Sequence, residues 1–302
     1  MKLGFVTAAF PKKTLEELVL WGNRHHFKMI EVACWPTEHE SRRYAGTQHI
    51  DVESLTPEKI LEINALLKNN SMEISSLAYY PNPLDADLEV RNNYLGHLRK
   101  VITAASKMGV PIVGTFVGRD KNTGVEESLV EYKRVFDPIV AFAKDNGVKI
   151  AIENCPMLWS DRWPGGNNIA STPAIWERMF DLIDSDYIGL NYDPSHLVWQ
   201  QIDCIKALYE FKDKIFHTHA KDTKMLPDVL ARTGIYGFNY YLDKIAGLGD
   251  IDWKRYFSTL YELKYEGAVS IEPEDRSWEK DDENILDGIE LSRKLLSPYI
   301  VE

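Results

Sequence analysis

Four short runs of the chain each end in a side chain able to hold a metal ion or move a proton. They are Lys149-Ile150-Ala151-Ile152-Glu153-Asn154, Ile188-Gly189-Leu190-Asn191-Tyr192-Asp193, Ile215-Phe216-His217-Thr218-His219 and Ala268-Val269-Ser270-Ile271-Glu272. Read as β-strands, they place Ala151, Asn191 and Ser270 on the same face as Glu153, Asp193 and Glu272, with Ile152, Tyr192 and Ile271 on the other. The ionisable face is then small and polar. Three carboxylates and one imidazole converging on one spot would repel one another, or stay partly protonated, unless a cation sat among them. One divalent ion meets that need. A nitrogen and oxygen donor set without thiolate suits Mn²⁺, Mg²⁺, Co²⁺ or Zn²⁺ and discriminates little between them. Any one of these carboxylates could instead cap a helix or pair with Lys or Arg; agreement across four successive runs favours the metal.

Asp193 is followed by Pro194-Ser195-His196. A proline there ends the strand and turns the chain, so His196 either faces the same spot and binds a substrate oxygen or serves as a cap or core histidine. His217 falls beneath His219 as a packing or orienting residue. Lys221 shares their face, either to hold a substrate oxyanion or to pair with the carboxylates. Trp159, Trp163, Trp199 and Trp278 follow strand ends, with Gly165-Gly166-Asn167-Asn168 among them. Flat aromatic faces pack on the C–H face of a sugar, which makes Trp159 and Trp163 candidate substrate contacts; loop anchoring is the alternative.

The elements that must position these groups follow from hydrophobic periodicity. Strands are expected near residues 2–8, 28–34, 72–79, 111–117, 148–154, 187–193, 214–221 and 267–273. Helices fit between them at Thr14–His25, Pro57–Asn69, Glu89–Met108, Glu126–Asp145, Pro173–Ile183, Asp203–Phe211, Asp252–Leu263 and Asp282–Leu296. Eight strand-then-helix repeats predict an α/β fold, a (β/α)8 TIM barrel filling residues 1–302 as a single domain, with its active site at the carboxyl ends of the strands. An open doubly wound sheet is the rival, but no Gly-x-Gly-x-x-Gly follows the first strand. The long connections Cys155–Thr172 and Asp222–Ile251 are expected to be loops that close over a substrate.

Composition narrows the partners. The 302 residues are 44% hydrophobic and 27% charged, enough for a sizeable core, and carry a net charge of −11, which opposes binding to nucleic acid or an anionic membrane. No apolar run reaches the roughly 18 residues of a membrane span, and the first residues read as a strand, not a secretory signal. Cys34, Cys155 and Cys204, odd in number and far apart, read as reduced thiols. The expectation is a cytoplasmic protein; a homo-oligomer stays open.

The chain resembles the xylose isomerase-like TIM-barrel superfamily, often called the sugar phosphate isomerase/epimerase family, over essentially its whole length. The resemblance rests on Ile152-Glu153-Asn154, Asp193-Pro194-Ser195-His196, the run His217-Thr218-His219-Ala220-Lys221-Asp222, the run Gly247-Leu248-Gly249-Asp250-Ile251-Asp252-Trp253, and Ser270-Ile271-Glu272-Pro273. It implies one metal held by Glu153, Asp193, His219 and Glu272, the two glutamates doubling as the acid–base pair, and a substrate contact at His196. It differs from the ketose epimerases in continuing Asp222-Thr223-Lys224-Met225-Leu226 where they carry a substrate-binding arginine. The expected activity is isomerisation or epimerisation of a sugar, cyclitol or keto-sugar by Glu/Glu proton transfer through a metal-stabilised enediolate. A lyase or dehydratase acting on a keto-inositol or 3-keto-glycoside uses the same first step. An apurinic-site endonuclease, which needs more metal-binding histidines and a basic groove, and a non-catalytic sugar-binding barrel are more distant rivals.

Overall fold

The computed structural model describes residues 1–36, 43–157, 166–237 and 239–301. Eight parallel strands close on themselves: β1 (Lys2–Val6), β2 (Met29–Ala33), β3 (Glu73–Ala78), β4 (Ile112–Thr115), β5 (Lys149–Glu153), β6 (Ile188–Tyr192), β7 (Ile215–Met225) and, after one strand outside the barrel, β9 (Ala268–Ile271). Each pairs with its neighbour in sequence order, and β9 pairs with both β7 and β1 to seal the ring. This is the expected TIM barrel, an eight-stranded parallel ring with its helices outside.

The helices are α1 (Leu15–Arg24), α2 (Pro57–Asn69), α3 (Leu88–Met108), α4 (Val125–Asp145), α5 (Pro173–Leu182), α6 (Ser195–Trp199), α7 (Cys204–Glu210), α8 (Pro227–Thr233), α9 (Trp253–Glu262) and α10 (Asp282–Leu296). Local chemistry sets where they begin. Thr14 and Glu17 form a reciprocal capping box, and Asp87, Asp203, Asp252 and Asp281 accept from backbone N–H groups of the first turns that follow them. Outward strand residues such as Ile152, Tyr192 and Ile271 join the buried layer between strands and helices, as alternation predicts.

The connection Asp222–Ile251 is not the expected irregular loop. β7 runs eleven residues, and its outer half pairs antiparallel with β8 (Tyr241–Ile245), from Lys221 opposite Ile245 to Met225 opposite Tyr241. The segment between the two arms carries α8, so no two-residue turn signal marks the hairpin in the sequence. At its root the Asp222 carboxylate, wholly buried, accepts from the backbone N–H of Thr223 (2.9 Å), Gly247 (3.0 Å) and Ile251 (3.1 Å) and from the Trp253 indole (2.7 Å). A Cβ on Gly249 would lie 2.1 Å from Asp222 Oδ1, so only glycine lets the returning chain pass. The two motifs ending in Asp222 and Trp253 are therefore one hydrogen-bonded unit.

Asp222→Ala leaves several of these buried donors unpaired and should destabilise the protein by about 3 kcal/mol or more. Urea unfolding reads this directly; a loss below about 1 kcal/mol, the worth of one ordinary hydrogen bond, would show that Asp222 is not the clamp.

Candidate functional site

At the carboxyl ends of the strands, Glu153, Asp193, His219 and Glu272 each direct one donor atom inward, and these four atoms all lie within 4.8 Å of one another. His219 Nδ1 is 3.6 Å from Glu153 Oε1 and 3.5 Å from Glu272 Oε2. Asp193 is placed by its backbone, whose N–H donates to Asn154 Oδ1 at 2.7 Å, while Asn154 Nδ2 donates back to Asp193 O at 2.9 Å. The strand-end pair Glu153-Asn154 thus supplies both a site carboxylate and the brace of the next strand end.

Asp193 Oδ2, His219 Nδ1 and Glu272 Oε2 are buried and without a hydrogen-bond partner. Orphaned polar atoms of this kind are costly unless something satisfies them, and two anionic oxygens and an imidazole nitrogen match a hard or borderline divalent cation. The donor set fits the metal that the residue types imply. A second cluster, Glu31, His217 and His219, also has ligand-type atoms close together. There the atoms are already used. Glu31 accepts from Ser76 Oγ (2.8 Å) and Tyr80 Oη (3.2 Å), and His217 lies against Asn191 Oδ1 (2.9 Å) and Ser75 Oγ (3.1 Å). This cluster supports the first one.

Glu31 sets the orientation of His219. Its two oxygens lie 3.2 and 3.3 Å from His219 Nε2, and a carboxylate can only accept, so Nε2 carries the proton and the lone pair on Nδ1 faces the carboxylate ring. The Asn191 amide, 3.0 Å from the same nitrogen, competes with one neutral group against an anion. Tyr80 reaches Glu31 by crossing β4 at Gly114, where a Cβ would lie 2.3 Å from its hydroxyl. Sequence reasoning missed Glu31, Tyr80, Asn191 as a bridge and Glu274. For Glu31 the signal was present: in Met29-Ile30-Glu31-Val32-Ala33 it is the inward member between two outward aliphatics.

His196 lies in the site, with Nε2 3.3 Å from Asp193 Oδ2 and 3.7 Å from Glu153 Oε1. Lys221 is paired: its ammonium lies 2.9 Å from Glu274, 3.1 Å from Glu272 and 3.2 Å from Asp193. Trp159 and Trp163 lie outside the described residues, as does much of the Cys155–Thr172 connection. Asn168 anchors the part that is described, donating to the carbonyls of Glu153 (3.0 Å) and Cys155 (2.8 Å). Trp199 lines the site and stacks on Tyr241 of β8, whereas Trp278 packs on Gly288 of α10.

Burial and the neighbouring Glu272 push the Glu153 carboxyl upward, but the imidazoles of His196 and His219 beside it prevail and hold it below the usual carboxylate range. Burial acts on Glu272 in the same sense, yet the Lys221 ammonium and the neighbouring His219 keep it below the usual carboxylate range. Burial lowers His217 to about 4, so it is neutral at physiological pH. Above the ring opens a cavity of about 340 Å³ with aromatic walls from Trp35, Tyr44, Phe116 and Tyr241. Glu153, Glu272, His196 and Lys221 therefore border one space large enough for a monosaccharide-sized ligand.

Among the described residues no helix is long and apolar enough to cross a membrane, and Cys34, Cys155 and Cys204 are free thiols. The inosose dehydratase of Clostridium perfringens is 24% identical over 76% of this chain and 79% of its own length. Among solved structures, the IolI protein with a bound zinc atom superposes with a TM-score of 0.74 at 19% identity, covering 100% of both chains. D-psicose 3-epimerase in the presence of D-fructose does so with a TM-score of 0.70 at 16% identity, covering 98% of this chain and 99% of that one. The family model for the xylose isomerase-like TIM barrel matches residues 21–295, and with the closed barrel described above it shows that this chain belongs to the xylose isomerase-like TIM-barrel family.

Proposed function

We propose that this protein is a divalent-metal-dependent isomerase or epimerase of a sugar, cyclitol or keto-sugar. The observation that carries the reading is the ring of Glu153, Asp193, His219 and Glu272 with its orphaned inward atoms. These four residues would hold the ion; the zinc in IolI agrees with one being present in a relative of the same fold. Once bound, a divalent cation polarises a carbonyl and the hydroxyl beside it and so weakens the intervening C–H bond toward deprotonation.

The residues then divide the work. Glu153 and Glu272 approach His219 Nδ1 at nearly equal distances, 3.6 and 3.5 Å, from different strands. One removes the proton from the substrate carbon, the electron pair moving onto the carbonyl oxygen as an enediolate. The other delivers a proton to the opposite face, inverting the centre, or to the neighbouring carbon, exchanging the carbonyl position. His196, Lys221 and the aromatic residues Trp159 and Trp163 bind and orient the substrate. Elimination is the second reading, favoured by the cluster of Lys221, His196 and Glu274 beside the ring and by the inosose dehydratase relative. The same enediolate then forms a C=C bond as the C–O bond on the next carbon breaks, and the departing hydroxyl takes up a proton to leave as water.

The purified protein should hold about one divalent ion per chain, with clear loss of metal in His219→Ala and Asp193→Ala by elemental analysis. Glu31→Gln, which removes the anion behind Nε2, should weaken metal binding about 10–100-fold. Full occupancy retained in both ligand variants would eliminate the site.

Product formed in D₂O should carry deuterium at the reacting carbon, and Glu153→Gln and Glu272→Gln should each lower turnover by about 10²–10⁴-fold. Mass spectrometry of the product separates the two readings, since epimerisation conserves mass and elimination releases water or an aglycone. Unlabelled product would exclude the solvent-exchanging two-glutamate mechanism in favour of a shielded transfer or a hydride shift.

A further inference from the structure

We infer that Asn168 is a positioning residue for the carboxylate ring: its side-chain amide takes over where the β-ladder stops and fixes the strand end that carries Glu153 and, through Asn154, Asp193. The ladder between β4 and β5 has its last pair at Thr115 and Ile152, and that between β5 and β6 at Glu153 and Asn191. Glu153 and Asp193 therefore stand at or beyond the last rung. The Glu153 carboxylate meets the imidazoles of His196 and His219 at 3.7 and 3.6 Å, too far for a firm hydrogen bond, so its place is set through its backbone.

Asparagine amides supply the missing rungs. Asn168, 3% exposed, donates through Nδ2 to the carbonyls of Glu153 (3.0 Å) and Cys155 (2.8 Å), while its Oδ1 accepts from the backbone N–H of Gly118 (3.1 Å) and Ala170 (3.4 Å). With carbonyls before its nitrogen and N–H groups before its oxygen, the amide can face only one way. The chain returning from β5 is tied to the exit of β4 a second time, by the Ile169 N–H on the Gly118 carbonyl (3.2 Å). Between the two carbonyls that Asn168 holds lies Asn154, wholly buried, whose side chain pairs with both the N–H and the carbonyl of Asp193. Two amides in series thus run from the exit of β4 to two members of the ring. Without Asn168 the Glu153–Cys155 strand end loses both of its anchors at once, and the second amide is loosened with it.

The test reads the ion and not the reaction. Metal-free protein is titrated with Mn²⁺, the free ion being followed by its EPR signal, and separately with Co²⁺, whose visible absorption reports the geometry of its ligands. Asn168→Ala should weaken Mn²⁺ binding about tenfold, the low end of what supporting groups around a metal are worth, and should alter the Co²⁺ spectrum. Asp87→Ala, which removes two backbone hydrogen bonds at the start of α3 outside the barrel and so lowers stability alone, should change neither. Unchanged affinity and spectrum in folded Asn168→Ala would overturn the inference, as would equal losses in Asp87→Ala, which would mean that any destabilisation loosens the ring. Should Asn168→Ala not fold, Asn168→Ser, which keeps a hydroxyl donor there, is expected to weaken binding to a smaller extent, and wild-type values in it would overturn the inference equally. The inference rests on the proposed metal ring, yet the two fail separately. Wild-type protein that binds neither ion would overturn the ring and this inference with it, whereas equal binding by wild type and Asn168→Ala leaves the ring and removes the role of Asn168.

Discussion

Bringing three carboxylates and an imidazole within 4.8 Å of one another, three of the four residues nine-tenths or more buried, is the constraint around which the rest of this molecule is arranged. Charges removed from water are costly unless paired and hydrogen-bonded on every side. The barrel answers with an interior that departs from the usual stack of aliphatic layers. Directly beneath the ring lie Glu31, Asn191, His217, Ser75, Ser76 and Ser270, each buried and tied into one hydrogen-bonded layer. Lys221 supplies positive charge from the side, and Glu274 balances Lys221 in turn. The aliphatic packing that a barrel needs is displaced outward, between strands and helices.

How much of this can be read from the sequence depends on whether a residue's role is local. Glu153, Asp193, His219 and Glu272 announce themselves because each ends a strand whose alternation is regular, and the barrel follows from eight such strands spaced by helical periodicity. The motif run from His217 to Asp222 is legible as a motif but not as a clamp, since three of the four donors to Asp222 lie more than twenty residues further on. Glu31 and Tyr80 act across the barrel, on a histidine from the far side of the ring, and no local spacing encodes such a contact. The hairpin of β7 and β8 escaped for a different reason. Its arms are joined through α8, so the sequence reads as strand, helix and short strand with no tight turn to reveal the pairing.

Isomerisation, epimerisation and elimination share their first event, the loss of a proton beside a carbonyl, and in the proposed reading the ring serves that event alike in all of them. What separates them is the fate of the electron pair, which is decided by groups around the ring and not in it. In this chain the groups around the ring are Lys221, Glu274 and His196 and an aromatic wall. An inosose dehydratase is similar to this chain in sequence, and a D-psicose 3-epimerase shares its fold.

The continuity of β7 gives this division of labour a material basis. One unbroken strand carries His219 in the ring and then, as it leaves the barrel to form one arm of the hairpin, Lys221 and Asp222. Because Asp222 grips Gly247, Ile251 and Trp253, the chain is fastened on both sides before the excursion that holds α8 begins and after it ends. Residues 226–240 therefore behave as a cassette in a fixed frame. Their length and composition can vary without displacing a single donor atom of the ring.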